Sequence, residues 1–359
     1  MTGNSFGKLL KISTWGESHG DSIGCIIDGV PSGIKITNNY IQKFLDQRKP
    51  GQSKFTTQRK EPDKVKILSG VFNNITTGTP VSLVIQNEDK KSQDYTEISQ
   101  SYRPGHADYT YQEKFGIRDY RGGGRASARE TAMRVAAGAI ARRILGEKVL
   151  IRGALTQIGK KKINFSNWDW KEISKNPFFC PDKRSVNTWE NYLLKIRKEG
   201  TSIGAIIEIH ASGVPVGLGE PIFDKIDALL AQSIMSIPAV KGVEIGSGFK
   251  SAEMLGDESS DEITFKRNKV SFKSNNSGGT LGGITTGQDL IIRFAVKPTS
   301  SILKKQRSIN MDNKNINIST RGRHDPCVGI RALPVGEAMI ALVLADCLLI
   351  NKTRKKTTF

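Results

Sequence analysis

RPGHADYTYQEKFGIRDYRGGGRASARETAMRVAAGAIARRIL, residues 103–145, decides the reading of the fold. From Ser127 onward it has the period of a helix. Ser127 and Glu130 stand at the S-x-x-E spacing of a capping box, in which each side chain satisfies a free backbone N–H of the first turn. Ala132, Val135, Ala136, Ala139, Ile140 and Ile144 recur at helical spacing, and Gly146 follows as a stop. A face made mostly of Ala and Gly lets another element come close to the backbone, so a buried central helix is predicted. Ahead of it, Gly122, Gly123 and Gly124 can turn successive N–H groups toward one point, and a helix N-terminus favours anions. Arg121, Arg125 and Arg129 surround that point. A cation in a first helical turn opposes the macrodipole. Arg129 is therefore expected to face a bound anion.

Outward from this stretch the chain echoes itself. GDSIGCII at 20–27 resembles GTSIGAII at 200–207, and each is followed by Gly-Val-Pro, at 29–31 and 213–215. A short helix is expected after each, over 39–47 and 222–232. ITTG at 75–78 recurs at 284–287 ahead of a β-rich run, 290–296. The helix from Ser127 has a counterpart over about 335–349. Three matches in one order predict two α+β halves, about 6–150 and 195–350, each a sheet with a long helix, packed as a single domain over 1–350. Residues 159–191, rich in Lys, Asn, Trp and Pro, read as an excursion whose Trp168, Trp170, Phe178 and Phe179 cover something apolar. The polar tail 351–359 reads as flexible.

The net charge of +19 first suggests a polyanion such as nucleic acid. Much of the excess is dispersed Lys, however, and the aromatic–basic interleaving of an RNA-binding sheet is absent. The arginines sit beside glycines and histidines, which suits a small, highly charged anion. Cys25, Cys180, Cys327 and Cys347 are too widely spaced for a zinc pattern or a disulfide framework. No apolar run reads as a signal peptide or as long enough to span a membrane, so a cytoplasmic location is expected.

Three of the four histidines, His19, His106 and His324, fall in Gly- or Arg-rich turns, and His210 lies in an apolar strand context. No pair has metal-ligand spacing, and G-x-S-x-G, Walker A and Rossmann fingerprints are missing. What remains is acid–base chemistry by His in a pocket lined with Arg. RKPGQSKFTTQR, 48–59, reads as a basic loop that closes over an anion. NNSGGTLGG, 275–283, offers many backbone donors and little bulk. KPTSS, 297–301, adds a cation and hydroxyls.

Together GESHG (16–20), RPGHAD (103–108), RASARE (125–130), AVKGVEIG (239–246), KPTSS (297–301) and RHDPCVGIR (323–331) closely resemble the signatures of the chorismate synthase family. The matches run in family order over nearly the whole chain. The resemblance implies an α+β fold with long central helices sandwiched between antiparallel sheets, a β-α-β sandwich. It implies anti-1,4-elimination of phosphate from 5-enolpyruvylshikimate 3-phosphate to give chorismate, with reduced FMN required and no net redox change. It implies that His19 protonates the departing phosphate, that His106 sits near the reduced flavin, and that Asp325 takes part in proton transfer there. Ser18, Arg48, Lys54, Arg103, Ala128, Arg129, Arg323 and Asp325 would line the substrate site. FMN would contact Arg125, Ala126, Ser127, Pro238, Ala239, Gly282, Lys297, Pro298, Thr299, Ser300, Ser301 and Arg323. Lys54 stands where Arg is usual, and Pro238 where some members have Asn. The family forms homotetramers, with no nucleic-acid or membrane partner and no metal. Whether this chain reduces its own FMN with NADPH, using Arg48 and Lys54, or receives it reduced stays open at this point.

Overall fold

Two five-stranded antiparallel sheets enclose a layer of helices. The computed structural model describes residues 3–51, 55, 61–88, 98–266, 268–320 and 325–354. The first sheet holds β1 (Ser5–Phe6), β2 (Lys11–Trp15), β3 (Ser22–Asp28), β4 (Val65–Ser69) and β5 (Val81–Gln86), in the order β1-β2-β3-β5-β4. The second holds β6 (Leu150–Ile158), β7 (Lys161–Lys162), β8 (Ala205–Ser212), β9 (Val240–Ile245) and β10 (Leu290–Val296), in the order β7-β6-β8-β10-β9. Alternation sets the inner face of each strand. Ile23, Cys25 and Ile27 of β3 are buried while Ile26 is exposed, and Leu290, Ile292, Phe294 and Val296 line the inner face of β10.

Thr76 and Thr285 show how closely the two halves correspond. The Thr76 hydroxyl donates to Pro31 O at 2.7 Å and accepts from Ile34 N at 2.9 Å; the Thr285 hydroxyl donates to Pro215 O at 2.7 Å and accepts from Leu218 N at 2.9 Å. Each therefore pins the Val-Pro turn after a central strand to the Ile-Thr-Thr-Gly segment. The echoed residues carry these bonds.

The longer helices are α1 (Asn38–Arg48), α2 (Asp108–Phe115), α3 (Thr131–Leu145), α4 (Lys183–Lys198), α5 (Ile226–Met235) and α6 (Gly329–Arg354). α3 packs on β2, β3 and β5; α6 packs on β6 and β8; and the two helices pack along each other. The Ala/Gly face of α3 makes this contact close: a Cβ on Gly138 would lie 2.5 Å from Ala338 Cβ. Gly146, at φ +80°, ends α3, its N–H donating to Arg142 O. Asp346 of α6 accepts from the backbone N–H groups of Lys8, Leu9 and Leu10, each at 2.8 Å, and so fixes the turn that joins β1 to β2.

Several expectations change. The capping box does not form. Ser127 accepts from Arg129 N at 3.3 Å, a 3-10 turn spans 128–130, and α3 begins only at Thr131. Glu130 turns instead to Thr14 Oγ1, 2.9 Å away, and to Arg134. Residues 6–14, which the pattern reads as one strand, are split between β1 and β2 by a turn with Gly7 at φ +92°. The excursion runs into α4, a 16-residue helix that continues beyond it to Lys198. Its Trp189 and the nearby Phe178 are buried, with Phe55 4.8 Å from Phe178 between ring centroids. Trp168 and Trp170 flank His210 at 5.7 and 5.2 Å. α6 runs 26 residues, continuing through Pro334 at one end and Asn351 at the other. By length and composition it could cross a membrane, contrary to the sequence reading, but 78% of its apolar window is buried inside the protein, as a core helix requires.

Candidate active site

A cavity of about 780 Å³ opens where the two halves meet, at the 3-10 turn leading into α3 and beside α6. The turn after β2 brings His19 to its wall, the turn before α2 brings His106, and the glycine run brings Gly122. From the second half come Pro238, Ala239, residues 297–301, Asp325 and Arg331, while Ile12, Val328, Met339 and Leu342 supply apolar surface. Sites of this size, mostly apolar with a few convergent polar groups, are where small ligands bind.

The two imidazoles rest on neighbouring glycines. A Cβ on Gly122 would lie 2.2 Å from His19 Cε1, and a Cβ on Gly123 would lie 2.8 Å from His106 Cε1. The triple glycine thus makes room for two rings, a task its sequence does not announce. Ser18 supports His19 from behind, its Oγ 3.0 Å from His19 Nδ1 and 3.3 Å from Arg121 O. Asn87 holds the same turn by donating to Glu17 O and Gly20 O at 3.1 and 2.8 Å. His106 has its Nδ1 2.9 Å from Asp108 Oδ1. Burial lowers the affinity of the His106 ring for a proton below the ordinary value, against the opposing pull of Asp108. For Asp108 burial acts upward, but hydrogen bonds from Arg103 and His106 outweigh it and hold the carboxyl well below the usual range.

The arginines divide. Arg121 pairs with Asp119 at the surface, 2.9 Å apart. Arg125 reaches across to Gly16 O, Thr14 and Asn4, and ties strand β2 to the cavity rim. Arg129 donates to Asn87 Oδ1 at 2.9 Å and pairs with Asp63, with Glu61 3.7 Å away. Internal carboxylates therefore already answer the cation that the sequence reading aimed at a bound anion. Arg103 donates through Nε and Nη2 to Asp108, at 2.7 and 2.8 Å. Arg48 differs from all of these. It is 1% exposed, it lies 3.6 Å from an Asp63 carboxylate oxygen, and its three guanidinium nitrogens make no hydrogen bond among the described residues. Burial, with Arg331 and Arg129 adding to it and Asp63 opposing, brings its pKa down to about 9.

Of the residues singled out in the sequence, His19, His106, Asp325, Arg103, Arg125, Ala126, Ser127, Ala128, Arg129, Pro238, Ala239, Lys297, Pro298, Thr299, Ser300 and Ser301 line this one cavity. Ser18 and Arg48 lie just behind the wall. Gly282 does not line it: it sits in the turn between the short strands Thr280–Leu281 and Ile284–Thr285. Lys54, Arg323 and His324 lie outside the described residues, as does most of the basic loop 48–59. Several polar lining residues were missed, Arg331, Arg134, Tyr111 and Gln232 among them. Arg331 pairs with Asp325 at 2.8 Å; Arg134 joins Glu130 to Ser236 Oγ at 2.9 and 2.6 Å; Tyr111 and Gln232 line the wall. Of these, only Arg331 lay inside a recognisable motif. Among the described residues no cluster of His, Cys, Asp and Glu could hold a metal ion.

Comparison with known proteins agrees with this geometry. The family model for chorismate synthase matches residues 10–349. A chorismate synthase of Gluconacetobacter diazotrophicus is 60% identical over 346 residues, covering 96% of this chain and 97% of that protein. One of Pelagibacter ubique is 59% identical over 358 residues, covering 99% of each. A crystal structure of chorismate synthase superposes with a TM-score of 0.76 at 31% identity, covering 96% of this chain and 93% of that one. With the family's motifs gathered around one cavity and matches along nearly its full length, the chain belongs to the chorismate synthase family of lyases.

Proposed function

We propose that this chain catalyses the anti-1,4-elimination of phosphate from 5-enolpyruvylshikimate 3-phosphate to give chorismate, with reduced FMN bound in the same cavity. One observation carries the reading: His19 and His106 sit on adjacent glycines of a single turn and face one cavity built by both halves. Two proton carriers so close together suit a reaction that releases phosphate and a proton from one ring.

The residues fit a flavin beside a trianion. Ile12, Val328, Met339 and Leu342 offer apolar surface to a flat ring, and Lys297–Ser301 with Arg125–Ser127 and Pro238–Ala239 offer the polar wall that would hold it. Reduced FMN, when bound, would supply electron density to the substrate as the C–O bond breaks. Arg331, Arg129 and Arg103 each spend part of their five N–H donors on Asp325, Asp63 and Asp108, and the remaining donors on the cavity wall would hold the substrate's carboxylates and phosphate, each charge-assisted hydrogen bond contributing about 1.5–3 kcal/mol. His19, steadied by Ser18, delivers a proton to the departing phosphate oxygen. His106 accepts a proton at the flavin side, and Asp325, paired with Arg331, takes part in proton transfer there. Arg48, a buried cation without a hydrogen bond among the described residues, stands ready for substrate phosphate or for the nucleotide of NADPH as reductant. A homotetramer in the cytoplasm completes the reading; exposed Phe223, Phe249 and Phe265 supply apolar surface for such contacts. We take residues 1–350 as one domain because a single apolar core runs through both halves.

The test is chorismate formation under anaerobic conditions, with FMN reduced chemically in one arm and by NADPH in the other. Turnover in the first arm supports the elimination, and turnover in the second adds flavin reduction. No turnover in either arm, with flavin bound, sinks the reading.

A further inference from the structure

We infer that Asp108 locks the imidazole of His106 in the tautomer that carries its proton on Nδ1, leaving Nε2 as the bare, proton-accepting nitrogen on the cavity side. The consequence for turnover rests on the reading of His106 given above; the tautomer itself does not.

Asp108, the first residue of α2, is 3% exposed. Its carboxylate accepts from Arg103 N at 3.0 Å, Arg103 Nε at 2.7 Å and Arg103 Nη2 at 2.8 Å, and Arg118 Nη1 lies 3.4 Å away. It is thus a fixed anion beside the His106 ring. Two groups compete for His106 Nδ1: Asp108 Oδ1 at 2.9 Å, which can only accept, and Arg103 Nη2 at 3.1 Å, which can only donate. A bare Nδ1 would set its lone pair against the carboxylate oxygen. Arg103 Nη2 has that same oxygen as a partner at 2.8 Å, so it does not need the ring. With the proton on Nδ1 both donors point at the carboxylate and no lone pairs collide.

The other ring edge is left open. Nε2 has no hydrogen-bond partner among the described residues, and the side chain keeps 16% exposure. Gly123, at φ +94°, leaves the space beside it: a Cβ there would stand 3.0 Å from Nε2. A carboxylate holding the far N–H orients an imidazole and makes its free nitrogen more basic. Nε2 therefore meets a ligand N–H or O–H as an acceptor. Asp108 is a positioning residue, and because it also grips Arg103, it aligns the ring and the guanidinium about one point.

The experiment is nitrogen NMR of the full chain labelled at histidine, without flavin or substrate, with the His106 signals identified by their loss in His106→Ala. The expected wild-type spectrum shows a protonated Nδ1 and a bare Nε2; a protonated Nε2 overturns the inference without any variant at Asp108 having to fold. In Asp108→Asn the amide presents its own N–H to Nδ1, so the proton is expected to move to Nε2; a spectrum unchanged from wild type overturns the assignment of the lock to Asp108. Turnover in Asp108→Asn is expected to fall about 10–100-fold, mainly in kcat. If the tautomer is as stated but neither Asp108→Asn nor His106→Ala slows chorismate formation, the lock stands and the role given to His106 in the reaction fails.

Discussion

Gly122 lies so close to the imidazole of His19 that a methyl group on its α-carbon would sit 2.2 Å from Cε1 and 2.5 Å from Nδ1. Its φ of +65° adds a backbone reason for glycine. The ring therefore owes its position to a missing side chain. Gly122→Ala should push His19 off its line and lower kcat/KM about 10²-fold, as angstrom-scale misplacement of a reacting group does. The left-handed backbone should cost a further 1–2 kcal/mol or so of stability. Steady-state kinetics with a urea titration read both, and unchanged turnover would show that the ring can move aside without loss.

The Arg48 guanidinium is buried without a hydrogen bond among the described residues, and its pKa of about 9 lies well below the ordinary arginine value. The unfolded chain holds this proton more tightly than the folded one, so the penalty is full at neutral pH and eases only as pH rises past about 9. Asp63 keeps Arg129 as a partner if Arg48 is removed. Arg48→Met should accordingly stabilise the unliganded protein by about 1–4 kcal/mol. The same change should weaken binding of inorganic phosphate. Thermal melts with and without phosphate separate the two effects; a lower melting temperature for the unliganded variant would contradict the account.

Ala239 lines the cavity at φ +72°, where an L side chain is strained, and its carbonyl accepts from Lys297 N at 2.8 Å. Ala239→Gly should relieve about 1–2 kcal/mol of backbone strain, offset in part by about 0.4–1 kcal/mol of added freedom in the unfolded chain. A urea midpoint slightly above wild type is the expected result. A clear fall would mean that the methyl group packs in a way the backbone term does not capture.

Acid stability should decline in two stages. Burial holds His106 below the ordinary 6.5, so the unfolded chain takes up this proton first and stability drops as pH falls below that value. Asp108 is held below the ordinary 3.8, so its contribution is complete above that value and disappears as pH falls further. Asp108→Asn should remove the second stage, and its urea midpoints should approach those of wild type below about pH 3. Parallel curves down to that pH would show that Asp108 gives no such contribution.

Much of this protein was legible residue by residue. The Ala/Gly face of 132–144 announced a close helix crossing, and Gly138 against Ala338 is where it occurs. The echo of Ile-Thr-Thr-Gly pointed to paired halves, and the matching bonds of Thr76 and Thr285 follow from it. The false capping box shows the limit of local pattern. Glu130 had the spacing to cap a helix, but Thr14, far away in sequence, and Arg134 compete for its carboxylate. Local spacing cannot weigh a partner more than a hundred residues away.

The amino-acid sequence by itself determined the strand and helix periods, the doubled order of elements, and the placement of His19 and His106 beside glycines. These depend on side-chain size and spacing along the chain, which any reader of the sequence can see. Tertiary structure alone decided which cations are answered by hydrogen bonds. Arg129 found Asp63, Arg103 found Asp108, and Arg48 found Asp63 at 3.6 Å but no hydrogen bond among the described residues. A charge buried without a hydrogen bond is costly, and whether one forms depends on distances of a few ångströms between segments that only the packed fold brings together.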